Sequence, residues 1–235
     1  MNTYALITGA TEGIGKAIAE KLLEKGCHIA VCARNEKSLS ALAAQWKAAY
    51  PNQEIFYQPC DMGIKTAVQE LAAAVLERFG QLDILVNNAG IFEPGLLATE
   101  PDGQLEKIMD VNLFGPYHLT RALLPHMKQQ GAGHIFNLCS VASLRAYENG
   151  GAYSISKYAL LGFSENLREE LREFGIKVTS ICPGAVWSRS WSGSGVARER
   201  IMEAIDVAEV AWTAFSLSAQ AGLETIVMRP LKGDL

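Results

Sequence analysis

Residues 4–25 read YALITGATEGIGKAIAEKLLEK, and this stretch carries the strongest local signal for the fold. The apolar run at residues 4–8 predicts a buried strand, and the periodicity of residues 14–25 predicts a helix. Between them, the glycines of GATEGIG allow a tight turn and a close approach of the backbone to a ligand, because they lack a Cβ atom. The amino terminus of the following helix offers unpaired N–H groups and a partial positive charge, which suit a pyrophosphate. The stretch therefore predicts a strand–turn–helix unit that binds a phosphorylated ligand, although a turn that needs glycine only for packing is the alternative.

The alternation of short apolar runs and helical segments continues along the chain. Further strands are predicted at residues 28–33, 54–58, 82–87, 134–139, 176–182 and 224–229, and further helices at 38–50, 65–79, 104–129, 153–173 and 206–218. Pro116 and Pro125 are expected to bend the long helix at one or both positions. Because the strands are apolar on both faces, the pattern predicts an α/β fold of Rossmann type, with a doubly wound parallel seven-stranded sheet and helices on both faces. One domain is expected to span residues 1–235.

Composition narrows the possible partners. The formal net charge is -4 and no block of like charges occurs, so neither nucleic acid nor an anionic membrane is the expected partner. No leader pattern opens the chain and no apolar run reaches the roughly 18 residues of a membrane span, so a cytoplasmic protein is expected. The 5 cysteines form no CxxC pair and are expected to be buried thiols. The 4 histidines lack ligand spacing, and no metal is expected.

A second informative stretch begins with the apolar run HIFNLC at residues 134–139. Ser140 follows this predicted strand, and the next helix carries Tyr153 and Lys157 at i, i+4 spacing, which puts the phenol and the ammonium on one helical face. A tyrosine pKa of about 10 is too high for a base at neutral pH, and an ammonium about 5 Å away would lower it by about two units at an effective dielectric near 20. The stretch predicts a proton-transfer group, with a packed phenol beside a surface lysine as the alternative.

The polar and glycine features follow predicted strands. They are Gly9, Asp61, residues 87–90, Ser140 and residues 183–184. In open parallel sheets ligands bind at the carboxyl ends of the strands. These features are therefore expected to share one edge of the sheet.

Taken in order, TGATEGIG at 8–15, NNAG at 87–90, Asn112, Ser140, YSISK at 153–157 and PG at 183–184 closely resemble the short-chain dehydrogenase/reductase family. The resemblance covers essentially the whole chain. It implies that Tyr153 donates a proton to the substrate oxygen as hydride reaches the carbon, and that Ser140 stabilises that oxygen. It also implies that Lys157 holds the nicotinamide ribose, and that Asn112 holds a water linking Lys157 to solvent. A purely structural role is the alternative for Asn112.

The same resemblance implies a cofactor site. Its residues are Thr8, Gly9, Thr11, Glu12, Gly13, Ile14, Gly15, Arg34, Asp61, Met62, Asn88, Ala89, Gly90, Tyr153, Lys157, Pro183, Gly184, Val186 and Ser188. Asp61 is expected at the adenine amino group, Asn88 and Gly90 under the adenosine, and Val186 and Ser188 at the nicotinamide carboxamide. Asn87 could instead tie neighbouring strands together.

The expected dinucleotide depends on Arg34. An acidic residue at the end of the second strand would accept hydrogen bonds from the ribose hydroxyls of NAD, whereas a guanidinium can pair with a 2′-phosphate. This chain carries Ala33 and Arg34 there, so NADP(H) is expected in preference to NAD(H). Glu12 argues against NADP(H), because many NADP-preferring relatives carry a basic residue at that position.

The expected function is a carbonyl reductase that transfers a hydride between NADP(H) and a small carbonyl or secondary alcohol substrate. The alternatives are an NAD-dependent hydroxyacid or alcohol dehydrogenase and a non-catalytic dinucleotide-binding regulator. Candidates for the substrate pocket are Phe92, Leu144, Tyr147, Trp187 and Trp191. Arg145, Glu148 or Arg189 could recognise a substrate charge. A homodimer or homotetramer is expected from the resemblance.

Overall fold

The computed structural model describes residues 2–188, 191 and 195–234. In this part of the chain, seven parallel strands form one sheet in the order β3-β2-β1-β4-β5-β6-β7. The strands are β1 (Tyr4–Thr8), β2 (His28–Ala33), β3 (Ile55–Pro59), β4 (Ile84–Asn87), β5 (Gly133–Leu138), β6 (Ile176–Pro183) and β7 (Thr225–Met228). The strand order reverses between β1 and β4, which opens a crevice at their carboxyl ends. The predicted α/β fold class is confirmed.

Helices cover both faces of the sheet. Within the described residues they are α1 (Gly13–Glu24), α2 (Glu36–Ala49), α3 (Lys65–Phe79), α4 (Gln104–Met109), α5 (Gly115–Gln130), α6 (Gly151–Leu171) and α7 (Ala204–Ser216). Ile18, Leu39 and Val207 bring α1, α2 and α7 into one apolar cluster with the sheet. A second cluster contains residues of α3, α5 and α6. Of the described helices, none has the length and apolar character needed to cross a membrane.

The long helix predicted over residues 104–129 contains an interruption. A π-helical turn, Asp110–Phe114, separates α4 from α5 and includes Asn112. Pro116 lies in the first turn of α5, whereas Pro125 lies inside α5 without ending it. Pro116 has no N–H to donate to the carbonyl of Asn112, so the regular i, i+4 bond cannot form there. The irregularity therefore falls just before Pro116, and the other predicted boundaries lie within about two residues of the observed ones.

All five cysteines are buried free thiols, as expected. Cys32 and Cys182 lie in the sheet interior, and Cys139 directly follows β5. In these positions they act as small apolar side chains.

His134 is a buried polar residue within β5, 1% exposed. Its Nε2 lies 2.7 Å from the Thr179 hydroxyl, which itself donates to the carbonyl of Leu223. Because the hydroxyl proton is used for Leu223, Nε2 must carry the hydrogen of a neutral ring. Nδ1 has no partner among the described residues, and burial lowers the pKa of His134 to about 3.

We expect His134 to make the fold sensitive to mild acid. The unfolded chain protonates this ring near its ordinary pKa while the folded chain does not, so stability falls as the pH drops below about 6.5. Between pH 7.5 and 5.0 the wild type should lose about 2 kcal/mol more unfolding free energy than His134→Gln, measured by urea denaturation. Equal pH dependence in the two proteins would contradict a neutral buried ring.

Candidate active site

The carboxyl ends of the strands border a cavity of about 930 Å³. It is lined by segments that follow all seven described strands, since Asp234 from the segment after β7 also lines it. Of the expected site residues, Thr8, Gly15 and Asn112 lie outside its lining, and all the others line it: Gly9, Thr11, Glu12, Gly13, Ile14, Arg34, Asp61, Met62, Asn88, Ala89, Gly90, Ser140, Tyr153, Lys157, Pro183, Gly184, Val186 and Ser188. The fold thus brings the two informative stretches of sequence to one cavity.

The glycines of the first loop have different roles. Gly9 and Gly13 have φ angles of +68° and +56°, a backbone conformation that side chains disfavour. At Gly15, a Cβ atom would lie 2.3 Å from the carbonyl oxygen of Gly9, so this glycine permits the loop to fold onto its own helix. A Cβ atom at Gly13 would lie 3.6 Å from Cβ of Ser188, so the segment after β6 extends over the loop.

Thr8 and Asn88 join the loops after β1 and β4. The Thr8 hydroxyl accepts hydrogen bonds from the backbone N–H groups of Asn88 and Ala89, each at 3.0 Å. In return, Nδ2 of Asn88 donates to the carbonyls of Thr8 and Gly9, at 2.9 and 3.1 Å. These contacts fix the shape of the cavity at the point where the strand order reverses.

Arg34 and Asp61 lie at the β2–β3 end of the cavity. Arg34 is exposed and forms no ion pair within the described part of the chain. Asp61 closes its own turn, because its Oδ1 accepts a hydrogen bond of 2.9 Å from the N–H of Gly63. Glu12 lines the same cavity. Arg34 is therefore positioned to contact an anionic group of a ligand.

Ser140, Tyr153 and Lys157 converge at the β5 end. Ser140 caps a short 3-10 turn, since its hydroxyl accepts from the N–H of Ala142 at 3.1 Å. Lys157 donates to the carbonyl of Leu138 at 2.7 Å, and its Nζ lies 5.8 Å from the centroid of the Tyr153 ring. The hydroxyl, the phenol and the ammonium thus share one corner of the cavity.

Burial controls the ionisation of this group. Burial raises the pKa of Tyr153 by more than its hydrogen bond with Ser140 lowers it. Burial also lowers the pKa of Lys157, because the ammonium loses hydration. The net pKa shift of Tyr153 is upward, opposite to the shift expected from the charge of Lys157 alone. The phenol therefore retains its proton at neutral pH, which is the form that can donate.

Asn112 connects the loop after β4 to α6. Its Oδ1 accepts from the N–H of Ile91 at 2.8 Å, and its Nδ2 donates to the carbonyl of Ile91 and to Oγ of Ser156, both at 3.0 Å. Ser156 in turn donates to the carbonyl of Tyr153 at 2.7 Å. These contacts fit the structural alternative considered for Asn112.

Asn87 ties neighbouring elements together, which was its alternative role. Its Nδ2 donates to Thr120 at 3.1 Å and to Oδ1 of Asn137 at 2.8 Å. All three side chains are buried. Asn87 therefore supports the sheet behind the cavity.

Glu100 is a residue that sequence reasoning missed. Its Oε1 accepts a hydrogen bond of 2.9 Å from the N–H of Ala152, in the first turn of α6. Gly151 has a φ angle of +39°, and a Cβ atom there would lie 1.9 Å from the same oxygen. The glycines at 150–151 indicate that another group comes close to the start of the helix. The sequence does not show that this group is Glu100, because Glu100 lies 52 residues before Ala152. Glu100 thereby holds the start of the helix that carries Tyr153.

Aromatic side chains line the cavity, and one of them packs against the phenol. The ring of Phe92 packs edge-on against Tyr153, with centroids 4.8 Å apart. Tyr147, Trp187 and Trp191 also line the cavity, whereas Leu144 does not. Of the three side chains considered for recognising a charge, Arg145 lines the cavity, Glu148 does not, and Arg189 lies outside the described residues.

The chain is similar to known proteins in sequence and in structure. The family model for short chain dehydrogenase matches residues 3–195. The chain is 38% identical over 189 residues to 2-(R)-hydroxypropyl-CoM dehydrogenase of Xanthobacter autotrophicus, which covers 79% of this chain and 75% of that protein.

Two solved structures superpose closely. An alcohol dehydrogenase of the archaeon Thermococcus sibiricus, complexed with 5-hydroxy-NADP, is 29% identical with a TM-score of 0.91, over 98% of this chain and 97% of that one. A metagenomic short-chain oxidoreductase in complex with NADP is 32% identical with a TM-score of 0.85, over 97% and 96% of the two chains. With its seven-stranded parallel sheet and the family match over most of its length, this chain belongs to the short-chain dehydrogenase/reductase family.

Proposed function

We propose that this protein is a carbonyl reductase that transfers a hydride between NADP(H) and a carbonyl or secondary alcohol substrate. One observation carries the proposal: the glycine loop, Arg34 and the group of Ser140, Tyr153 and Lys157 line a single cavity. This cavity has a phosphate-binding turn at a helix amino terminus and a proton donor beside an apolar wall. One site would therefore bring the hydride of a bound cofactor and the proton of Tyr153 to the same substrate.

The residues present fit a dinucleotide. Gly9 and Gly13 take left-handed backbone angles that shape the turn before α1, and the cavity continues from Arg34 to Lys157. We assign the adenosine end to Arg34 and Asp61 and the nicotinamide end to Lys157 and the segment after β6. A bound nicotinamide cofactor supplies the hydride in reduction and accepts it in oxidation.

In the reductive direction, Tyr153 is the proton donor. Burial keeps its phenol protonated, and Ser140 lines the same cavity. A substrate carbonyl oxygen in this cavity receives a hydrogen bond from Ser140 and the proton from Tyr153 as negative charge develops on it. Lys157 donates a hydrogen bond to the carbonyl of Leu138, and when its amine is protonated it provides positive charge near the phenol.

The preference for NADP(H) rests on Arg34. A guanidinium that forms no ion pair within the described residues can pair bidentately with a 2′-phosphate. Two similar solved structures contain NADP or a derivative of it, which supports the assignment. Glu12 lines the same cavity, and its negative charge repels a 2′-phosphate. The preference for NADP(H) therefore requires that the attraction of Arg34 for this phosphate exceeds the repulsion from Glu12.

An alcohol dehydrogenase acting in the oxidative direction is the second candidate. The similar protein from Xanthobacter autotrophicus is named as a dehydrogenase of a 2-hydroxypropyl compound, which favours a secondary alcohol as the reduced partner. A non-catalytic regulator is the less favoured alternative, because binding alone does not require Ser140, Tyr153 and Lys157 to line one cavity.

We also propose that the protein forms a homodimer or homotetramer. Large apolar side chains are exposed on the π turn and α6, namely Phe114, Ile155 and Tyr158. Val227 is exposed on β7, which lies at the edge of the described sheet. Apolar helix faces and an open strand edge are surfaces that self-association would cover.

Replacing Tyr153 with phenylalanine should abolish turnover and leave NADPH binding nearly intact. The change removes the proton donor and keeps the ring that packs against Phe92. We expect kcat to fall by at least about a hundredfold, measured as ketone-dependent NADPH oxidation, with Kd for NADPH followed by fluorescence. Tyr158→Phe, on the same helix but exposed, is the matched control. Retention of more than a tenth of wild-type activity in Tyr153→Phe would show that the assigned mechanism is wrong.

Replacing Arg34 with aspartate should weaken NADPH far more than NADH. A charge-assisted pair with the 2′-phosphate is lost and a repulsive carboxylate is gained, so KM for NADPH should rise at least about tenfold. KM for NADH should stay the same or fall. Arg172→Asp applies the same charge change to an exposed arginine of a 3-10 turn away from the cavity. Equal losses for both cofactors would refute the phosphate role.

A further inference from the structure

Three arginines contact the carboxyl-terminal tail, and one of them, Arg145, lines the cavity together with Asp234. Nη2 of Arg145 lies 2.5 Å from Oδ2 of Asp234, and Arg229 contacts the same oxygen. Arg200 holds the tail backbone, because it donates to the carbonyls of Gly233 and Asp234 at 2.8 and 2.9 Å. One tail residue is therefore approached by three guanidinium groups that come from three separate segments.

The tail carboxylate is an incomplete partner for these cations. Its Oδ2 faces both Arg145 and Arg229, whereas Oδ1 is buried and has no hydrogen-bond partner within the described part of the chain. Arg145 remains largely exposed, with 64% of its side chain accessible. Planar guanidinium groups bind carboxylates best through both oxygens, so this arrangement leaves capacity for another anion.

The cluster borders the reacting corner. Arg145 and Asp234 line the same cavity as Ser140 and Tyr153. Arg145 lies in the loop between these two residues, and Asp234 reaches Gly184, where a Cβ atom would lie 3.4 Å from Oδ1. An anion bound by Arg145 would therefore belong to a molecule that also reaches the site of proton transfer.

We propose that the preferred substrates are carbonyl compounds that carry a carboxylate, and that this carboxylate replaces Asp234 as the partner of Arg145 and Arg229. The inference rests on the proposed reductase function and specifies its substrate class. Exchange is favourable because Arg145 is largely exposed, and an ion pair formed by a hydrated guanidinium is weak. Asp234 then acts as an internal competitor that covers the arginines until the substrate arrives.

A paired series of substrates tests this proposal. The compounds are 4-oxopentanoate and 5-oxohexanoate, each compared with its uncharged methyl ester, with NADPH as reductant. In the wild type, kcat/KM for at least one acid should exceed that for its ester by about tenfold or more. Arg145→Gln should remove this difference by lowering kcat/KM for the acid and leave the ester within about twofold, because a neutral ligand does not use the charge. Asp234→Asn should lower KM for the acid, since the competing charge is gone.

Arg172→Gln is the control, an exposed arginine away from the cavity, and circular dichroism checks that each variant is folded. An acid-to-ester ratio that is the same in wild type and Arg145→Gln would overturn the substrate inference while leaving reductase activity established. A ratio below one in the wild type would overturn it equally.

A binding measurement separates this inference from the reductase proposal. Pentanoate, which cannot be reduced by hydride, should raise the Tm of the NADP-loaded wild type relative to methyl pentanoate at equal concentration. The rise should disappear in Arg145→Gln. If no ketone is reduced, the reductase proposal fails, and the presence or absence of this Tm rise still decides whether the arginines form a carboxylate site.

Discussion

The Thr8 hydroxyl links the two loops that flank the reversal of strand order, and the remainder of the site depends on that link. This hydroxyl accepts hydrogen bonds from the backbone N–H groups of Asn88 and Ala89. The side-chain amide of Asn88 in turn donates hydrogen bonds to the carbonyls of Thr8 and Gly9. From the same loop, Ile91 is bound by Asn112, and Asn112 reaches α6 through Ser156. A continuous set of hydrogen bonds therefore runs from the glycine loop to the helix that carries Tyr153. Because buried amides are costly to leave unpaired, this network makes the cavity rigid before a ligand enters it.

Desolvation, more than charge attraction, governs the reactive corner. Burial raises the pKa of Tyr153 and lowers that of Lys157, so both groups are driven toward their neutral forms. The carbonyl of Leu138 accepts a hydrogen bond from Lys157 in either protonation state, which keeps the amine in place as its charge changes. Sequence spacing alone could not weigh these effects, because burial is a property of the assembled helix and sheet.

The fold, and the position of the candidate residues at strand ends, were largely readable from local pattern. Apolar runs separated by helical periods predicted the sheet, and strand ends predicted that Gly9, Asp61 and Ser140 would share one edge of it. All three line the cavity at that edge. What local pattern could not show are contacts between distant segments. The π turn at Asn112 depends on packing around a missing N–H at Pro116, and the approach of Asp234 to Arg145 joins residues 89 positions apart. Contacts of this kind arise only in the tertiary structure. In the sequence, a glycine at the point of close approach, such as Gly151, is the sign that remains.

The cap that Glu100 places on α6 has a consequence for how this site can change. The carboxylate comes from the loop that precedes α4, and Gly95 in the same loop donates to the carbonyl of Asn149 just before the helix. Loops of this kind are where related proteins diversify, because surface connections tolerate substitution. Here the connection whose residues Ile91 and Phe92 line the cavity also sets the first turn of the helix bearing Tyr153. Exchanging this loop for one from a relative would therefore change both the substrate selectivity and the position of Tyr153. The exception is a new loop that brings a carboxylate to the N–H group of Ala152.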